Sequence, residues 1–347
     1  MLSITAYFCI VGYEDDTSGD VTEFEYHMYK LTSKKDTVLF ARSVDFWNFL
    51  ESVYLNEESK ILQKIRRKRI MFKRLRPISR SSLRMTIGKF VFTCLRWYSW
   101  HISDIKYASH YNIDNKLPVV HADHNTPILR DLHGVNTQLQ HNKITNLKLA
   151  CAKINGILLN PRETFSLWKL VGKPSKRKGY LEGMVLVNGS ICSGIGGGLC
   201  QLSNLIYWMT LHTSLTITER WRHNYDVFPD SNREQPFGSG ATVSYNYIDL
   251  QIKNNTPESF QLFVWVSDNQ LFGEWRSLNT PRYRYEIYES EHSIVHEWWG
   301  GYTRHNILCR KVHSLSVNEV SDEFITDNRA IMMYEPLLPP GQSTVDQ

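Results

Sequence analysis

The spacing of apolar and polar residues divides the chain into a helical stretch, a run of hairpins and a β-rich tail. Across residues 138–156 (QLQHNKITNLKLACAKING), Ile144, Leu147, Leu149, Ala150 and Ile154 recur near helical spacing and Gly156 marks a stop, which predicts a helix. The pattern then alternates: RETFSL over 162–167 reads as a strand, and Met184–Val187, Asn188-Gly189 and Ser190–Cys192 read as a hairpin with a two-residue turn. Gly196-Gly197-Gly198 leads into LCQLSNLIYWMTLHTSL, a mostly buried helix of about three turns. Strands follow at 215–221, 241–253, 260–266, 271–276, 284–288, 293–299 and 302–312, the last two joined at Gly300-Gly301. The order predicts an α+β fold, with helices packed on a mostly antiparallel sheet, a basic helical region before it and a β-rich segment after it.

Charge changes the picture at one place. Residues 60–90 carry twelve Lys and Arg and no acid, with Ile61, Leu62, Ile65, Phe72 and Leu75 at spacings compatible with one helical face. A basic amphipathic helix ending near Pro77 is predicted, with Arg66, Arg67, Lys68, Arg69, Lys73, Arg74 and Arg76 as an anion-facing surface. Each such residue near an anionic lipid surface contributes about 1 kcal/mol, so a peripheral membrane contact is one reading and a solvated surface helix the other; nucleic acid is not the expected partner. The divisions that follow are a poorly readable segment at 1–58, the basic helical region at 59–135, a core at 136–270, antiparallel strands at 271–335 and a tail at 336–347.

The net charge of +5 is too small to imply a nucleic-acid binder by itself, and the six cysteines form no CxxC pair or zinc spacing, so neither metal nor cofactor is expected. Widely separated thiols suit a reducing compartment. The N-terminal apolar run has no preceding Lys or Arg and reads as a strand rather than an export signal, and the run from Phe90 to Ile102 is cut by Arg96 and His101. A cytoplasmic protein, peripheral to the membrane, is the expectation.

Two chemistries compete at the glycine turn. A cysteine at a helix N-terminus meets unpaired N–H groups and the positive end of the helix dipole, both of which favour thiolate; Cys200 is therefore the candidate nucleophile, with His223 as base and Asp249 or Glu219 as orienter. Gln201 would polarise a carbonyl oxygen. Alternatively the turn's amides cradle an anion, although neither a P-loop nor a dinucleotide fingerprint is present. A third reading leaves Cys200 as a small buried side chain and the glycines as a close-packing device.

The runs NKITNLKLACAKINGILLNPRETFSLWKLVGK (142–173), GYLEGMVLVNGSICSGIGGGLCQLSNLIYWMTLHTSLTITERWRHN (179–224) and GATVSYNYIDLQIKNNT (240–256) closely resemble the VanW family, above all in NPRETFS and GIGGGLCQLSN. The resemblance implies a setting of B-type vancomycin resistance and cell-wall metabolism without a settled reaction. Carried over residue by residue, it marks Glu163, Gly196, Gly197, Gly198, Cys200, Gln201, Ser203, Glu219, Arg220 and His223. Trp221 and Arg222 stand where a His-Gly or His-Pro pair is expected, and Gly240 where an Asp is common. The expected partner is a cell-wall precursor or peptidoglycan fragment. Either a thiol-dependent hydrolase or transferase cleaves its peptide or amide bonds, or a non-catalytic module binds it, with Gly196, Gly197, Gly198, Ser203, Glu163 and Arg220 as the contacts.

Overall fold

A computed structural model describes residues 8–11, 26–29, 81–129, 137–187, 189–227, 235–317 and 319–336. The chain divides into two units, residues 1–74 and 75–347. In the first, the apolar N-terminal run forms strand β1 (Phe8–Val11), paired antiparallel with β2 (Tyr26–Tyr29). The basic segment, including Arg66, Arg67, Lys68, Arg69, Lys73, Arg74 and Arg76, lies outside the described residues.

The second unit is α+β. Helix α1 (Ser82–His101) is followed by β3 (His110–Tyr111), β4 (Val119–Pro127), helix α2 (Thr137–Ile154), β5 (Ile157–Leu159), β6 (Thr164–Ser166) and the short helix α3 (Leu167–Val171). Next come β7 (Glu182–Val187), β8 (Ser190–Ile195), helix α4 (Cys200–Leu211), β9 (Thr216–Glu219), β10 (Tyr225–Asp226) and β11 (Gln251–Lys253). The chain continues through β12 (Phe260–Ser267), β13 (Gln270–Ser277), β14 (Tyr283–His296), β15 (Tyr302–Ser314) and β16 (Val320–Met332).

A five-stranded antiparallel sheet, ordered β3-β5-β12-β13-β4, forms the floor of the core, with α2 lying against β12 and α4 against β13 and β4. Trp275, Phe260, Leu262 and Leu271 from the sheet meet Leu147 and Ile154 of α2 and Leu202, Leu205 and Ile206 of α4, all at most 1% exposed. Burying side chains of this size contributes about 1.5–3 kcal/mol each, which is what the helical spacing of both segments secures. Gly156 turns the chain out of α2 with φ +77°, and a methyl there would strike Ile113 Cγ1 at 2.7 Å. Helix and return strand therefore meet only through glycine.

A smaller sheet, β6-β11-β9, and the β7-β8 hairpin sit beside this core. The C-terminal ribbon β14-β15-β16 is antiparallel, with the short β10 added parallel to β16. Arg310 of β15 donates to the carbonyls of Leu211 (3.0 Å) and Thr213 (3.1 Å), satisfying orphan carbonyls where α4 ends and tying the ribbon to the core.

Two expectations need correction. Residues 241–253 alternate like one strand, but only Gln251–Lys253 pairs in a ladder. Upstream, side chains and a neighbouring turn take the backbone instead: Asn204 Oδ1 accepts from Ala241 N (2.7 Å), Ser203 Oγ donates to Ala241 O (2.6 Å), and Thr242 N donates to Trp221 O (2.7 Å). The two strands expected at 284–288 and 293–299 are one, β14, because a bulge between Glu289 and Glu291 absorbs the break in alternation.

Candidate functional site

The glycine turn is a joint between two elements. Gly183 of β7 and Gly197 lie so close that a methyl on Gly183 would sit 2.5 Å from the Gly197 carbonyl oxygen. Asn146, fully buried on α2, clamps both: its Nδ2 donates to the carbonyls of Leu181 (3.0 Å) and Gly197 (2.9 Å), and its Oδ1 accepts from Leu181 N (2.8 Å). Several amides about the turn are engaged internally. Gly196 N donates to Leu181 O and Gly197 N to Gly194 O, while Gln201, Leu202 and Ser203, the next amides after Cys200 in α4, donate to the carbonyls of Gly198 and Leu199. An anion there meets fewer donors than the sequence suggested, since those of Gly196 and Gly197 are taken.

Cys200 is the first residue of α4, as expected, and half-buried. Its Sγ donates to the carbonyl of Val243 at 3.7 Å, and burial raises its pKa, the hydrogen bonds to Val243 and to the helix backbone opposing only in part. Desolvation disfavours a charged sulfur, so the helix dipole is outweighed. No hydrogen bond joins Cys200 to His223 among the described residues. His223 is half-buried, and burial followed by the neighbouring Arg222 lowers its pKa. Cys192 and Cys200 are both free thiols.

The two carboxylates expected to orient His223 belong to another network. Asp249, fully buried, accepts from Ser166 Oγ (2.5 Å), Trp168 N (3.0 Å) and Leu250 N (2.9 Å). Glu219 Oε1 accepts from Arg96 Nη2 (2.5 Å), Trp221 Nε1 (2.9 Å) and Asp249 N (3.1 Å). Burial lifts the Asp249 carboxyl to about 6, Arg96 pulling it down and Glu219 pushing it up. The cation at the centre, Arg96 of α1, also donates through Nε to Asn246 O at 3.0 Å. Sequence reasoning missed Arg96, registering it only as an interruption of an apolar run; a lone cation in such a run was the available signal.

The other motif residues are also held by the fold. Gln201 Nε2 donates to Thr126 Oγ1 (2.7 Å) and Pro127 O (2.9 Å), fastening α4 to β4 and leaving little of the amide for a substrate carbonyl. Glu163 Oε2 accepts from Asn160 N (3.0 Å) and Nδ2 (3.1 Å). Arg220 stacks on Tyr207, 4.9 Å from the ring centroid, and donates to the carbonyls of Gly240 and Gly238 and to Thr326 and Asn328. Beside this scaffold a cleft of about 400 Å³ opens between the 112–117 loop and the C-terminal end of β5, lined by Asn112, Leu117, Leu158, Asn160, Glu258 and Leu278 among others. Amide and carboxylate groups alternate there with leucines. Among the described residues no group of His, Cys, Asp and Glu could hold a metal ion.

Residues 142–276 match the family model described as VanW like protein. The chain is 36% identical over 202 residues to the vancomycin B-type resistance protein VanW of Enterococcus faecalis, covering 58% of this chain and 73% of that protein. It is 32% identical over 109 residues to the uncharacterized protein YoaR of Bacillus subtilis, covering 31% of this chain and 34% of that protein. No solved structure matches.

Proposed function

The chain belongs to the VanW family, and from that premise we propose that it is an accessory protein of glycopeptide resistance that acts by binding a cell-wall precursor or peptidoglycan fragment, not by thiol chemistry. The observation that carries this reading is the state of Cys200: a thiol donating to the Val243 carbonyl, its ionisation opposed by burial, with no imidazole among the described residues bonded to it. A nucleophile needs the reverse on each count. The carboxylates meant for a triad are spent on Arg96 and on backbone amides, so removing the thiol leaves the network intact.

The ligand is assigned to the cleft beside β5. The side-chain amides of Asn112 and Asn279, set beside Leu117, Leu158 and Leu278, suit the backbone and aliphatic side chains of a short peptide, and a concave site of this size is where such a ligand is held. Vancomycin susceptibility in the bacterial host tests both halves. Cys200→Ser, whose hydroxyl can still donate to Val243, keeps resistance at the wild-type level, whereas Leu278→Trp, at a position 63% exposed on the cleft rim, lowers it. Loss of resistance in a Cys200→Ser protein with an unchanged unfolding midpoint would overturn the reading.

A further inference from the structure

Helix α1 is built inside out. At 100° per residue, Gly88, Thr93, Arg96, Ser99, Trp100 and Ser103 fall on one side of the helical line, and these are the positions that turn half-buried against the body of the unit. Trp100 packs on the core and against the Tyr245 ring, and the other contacts of this side are polar: Arg96 with Glu219, Ser99 Oγ with Tyr107 Oη at 2.6 Å, and Trp100 Nε1 with Ser166 Oγ at 3.1 Å. The opposite side carries Leu83, Ile87, Phe90, Val91, Leu95 and Trp97, each between 46% and 71% exposed, with the free thiol of Cys94 in their midst. An ordinary surface helix turns its apolar stripe inward. A contiguous apolar face turned to water marks a contact surface.

Charge selects its occupant. From residue 60 to residue 103 the chain has thirteen Lys and Arg and no Asp or Glu, and the helix lies inside that stretch. Among the described residues no helix is long and apolar enough to cross a membrane, and Arg84, Lys89 and Arg96 are spread along α1. A helix whose long outer face is aliphatic and aromatic, embedded in an unbroken run of cationic sequence, has the two signals that hold a helix in the plane of an anionic bilayer surface. We propose that α1 lies in the headgroup region of an anionic membrane, its outer stripe among the acyl chains and its polar stripe holding the folded unit to the surface. This surface is distinct from the β5 cleft and stands whichever way the Cys200 experiment falls.

The test uses the full chain with vesicles of phosphatidylglycerol and, separately, of phosphatidylcholine. Co-sedimentation is expected with the first, weakened by salt and by replacing the anionic lipid. Phe90→Glu/Val91→Glu, both exposed and so compatible with the fold, should lower binding by roughly tenfold or more. In the same samples a charged maleimide should label Cys94 at least about tenfold more slowly with vesicles present, while Cys192, exposed on β8, keeps its rate. Equal labelling of Cys94 with and without vesicles, or equal sedimentation of the double variant, contradicts the proposal. So does protection of Cys94 that rises with protein concentration in the absence of lipid, which would put a second copy on the stripe instead.

Discussion

Replacing Arg96 by Met keeps the length and apolar stem of the side chain and removes the cation between α1 and the two buried carboxylates. Arg96 and Glu219 are 11% and 19% exposed at the side chain. Breaking a fully buried pair costs about 3–5 kcal/mol; partial access of water reduces this, and about 2–3 kcal/mol is expected here. The loss should depend on pH. Asp249 has a carboxyl raised from 3.8 to about 6, chiefly by burial, so between those values the folded state holds more protons than the unfolded state. Stability from this group is therefore present at low pH and lost as pH rises through about 6. Removing Arg96, which pulls that value down, moves it further up, so ionising Asp249 beside Glu219 at neutral pH costs the folded state more. Urea unfolding followed by tryptophan fluorescence should show a larger loss at pH 7 than at pH 5, and Arg96→Met/Glu219→Gln should recover part of it. An equal loss at both pH values, or a larger one at pH 5, would refute the assignment of Arg96 as the counter-charge of this pair.

Asn146→Ala removes three hydrogen bonds from a site with no exposure and takes their partner from the Leu181 amide and the Gly197 carbonyl, the Leu181 carbonyl keeping Gly196 N; a loss of about 2–4 kcal/mol in the same urea assay is expected. Gly197→Ala places a methyl on the Gly183 backbone and should abolish soluble folded protein, whereas Gly88→Ala, with nothing within 4 Å, should leave the melting temperature unchanged or raise it, gaining up to about 1 kcal/mol. Cys151, buried in the core with its thiol pushed up to about 12, should resist alkylation until the protein is unfolded, which peptide mapping after brief labelling will show.

Elements whose apolar residues face the core were legible in the sequence. Helices α2 and α4 follow from Ile154, Leu147 and Leu205, because burial and side-chain period agree there, whereas the β7-β8 hairpin, whose β8 is largely exposed, was legible from its Asn188-Gly189 turn signal. Helix α1 was hidden for the opposite reason: its apolar residues point outward, so the stretch reads as an interrupted apolar run instead of an amphipathic helix. Strand β16 carries Asp322, Glu323 and Asp327 on a partly exposed ribbon and offers little apolar contrast. The segment from Ala241 to Ile248 alternates convincingly yet is largely held by Asn204, Ser203 and Cys200, a competition that residue spacing does not record. At the candidate site, residue type suggested chemistry to Gln201, Asp249 and Glu219, but their roles depend on partners 30 to 120 positions away. The pattern Asn254-Asn255-Thr256 fits a glycosylation acceptor by sequence, while Asn254 is fully buried and donates to the carbonyls of Leu159 and Glu258.

The rate of iodoacetamide alkylation at Cys200, resolved from the other thiols by peptide mass spectrometry and followed across pH, addresses the binding reading most directly. Exposed Cys94 and Cys192 provide internal standards under the same conditions. Burial, which the bond to Val243 offsets only in part, predicts that Cys200 lags behind both at neutral pH and gains reactivity only above the ordinary thiol range. A Cys200 that reacts faster than the standards, with its rate already at a plateau near pH 7, would contradict the account and restore the thiol as a nucleophile.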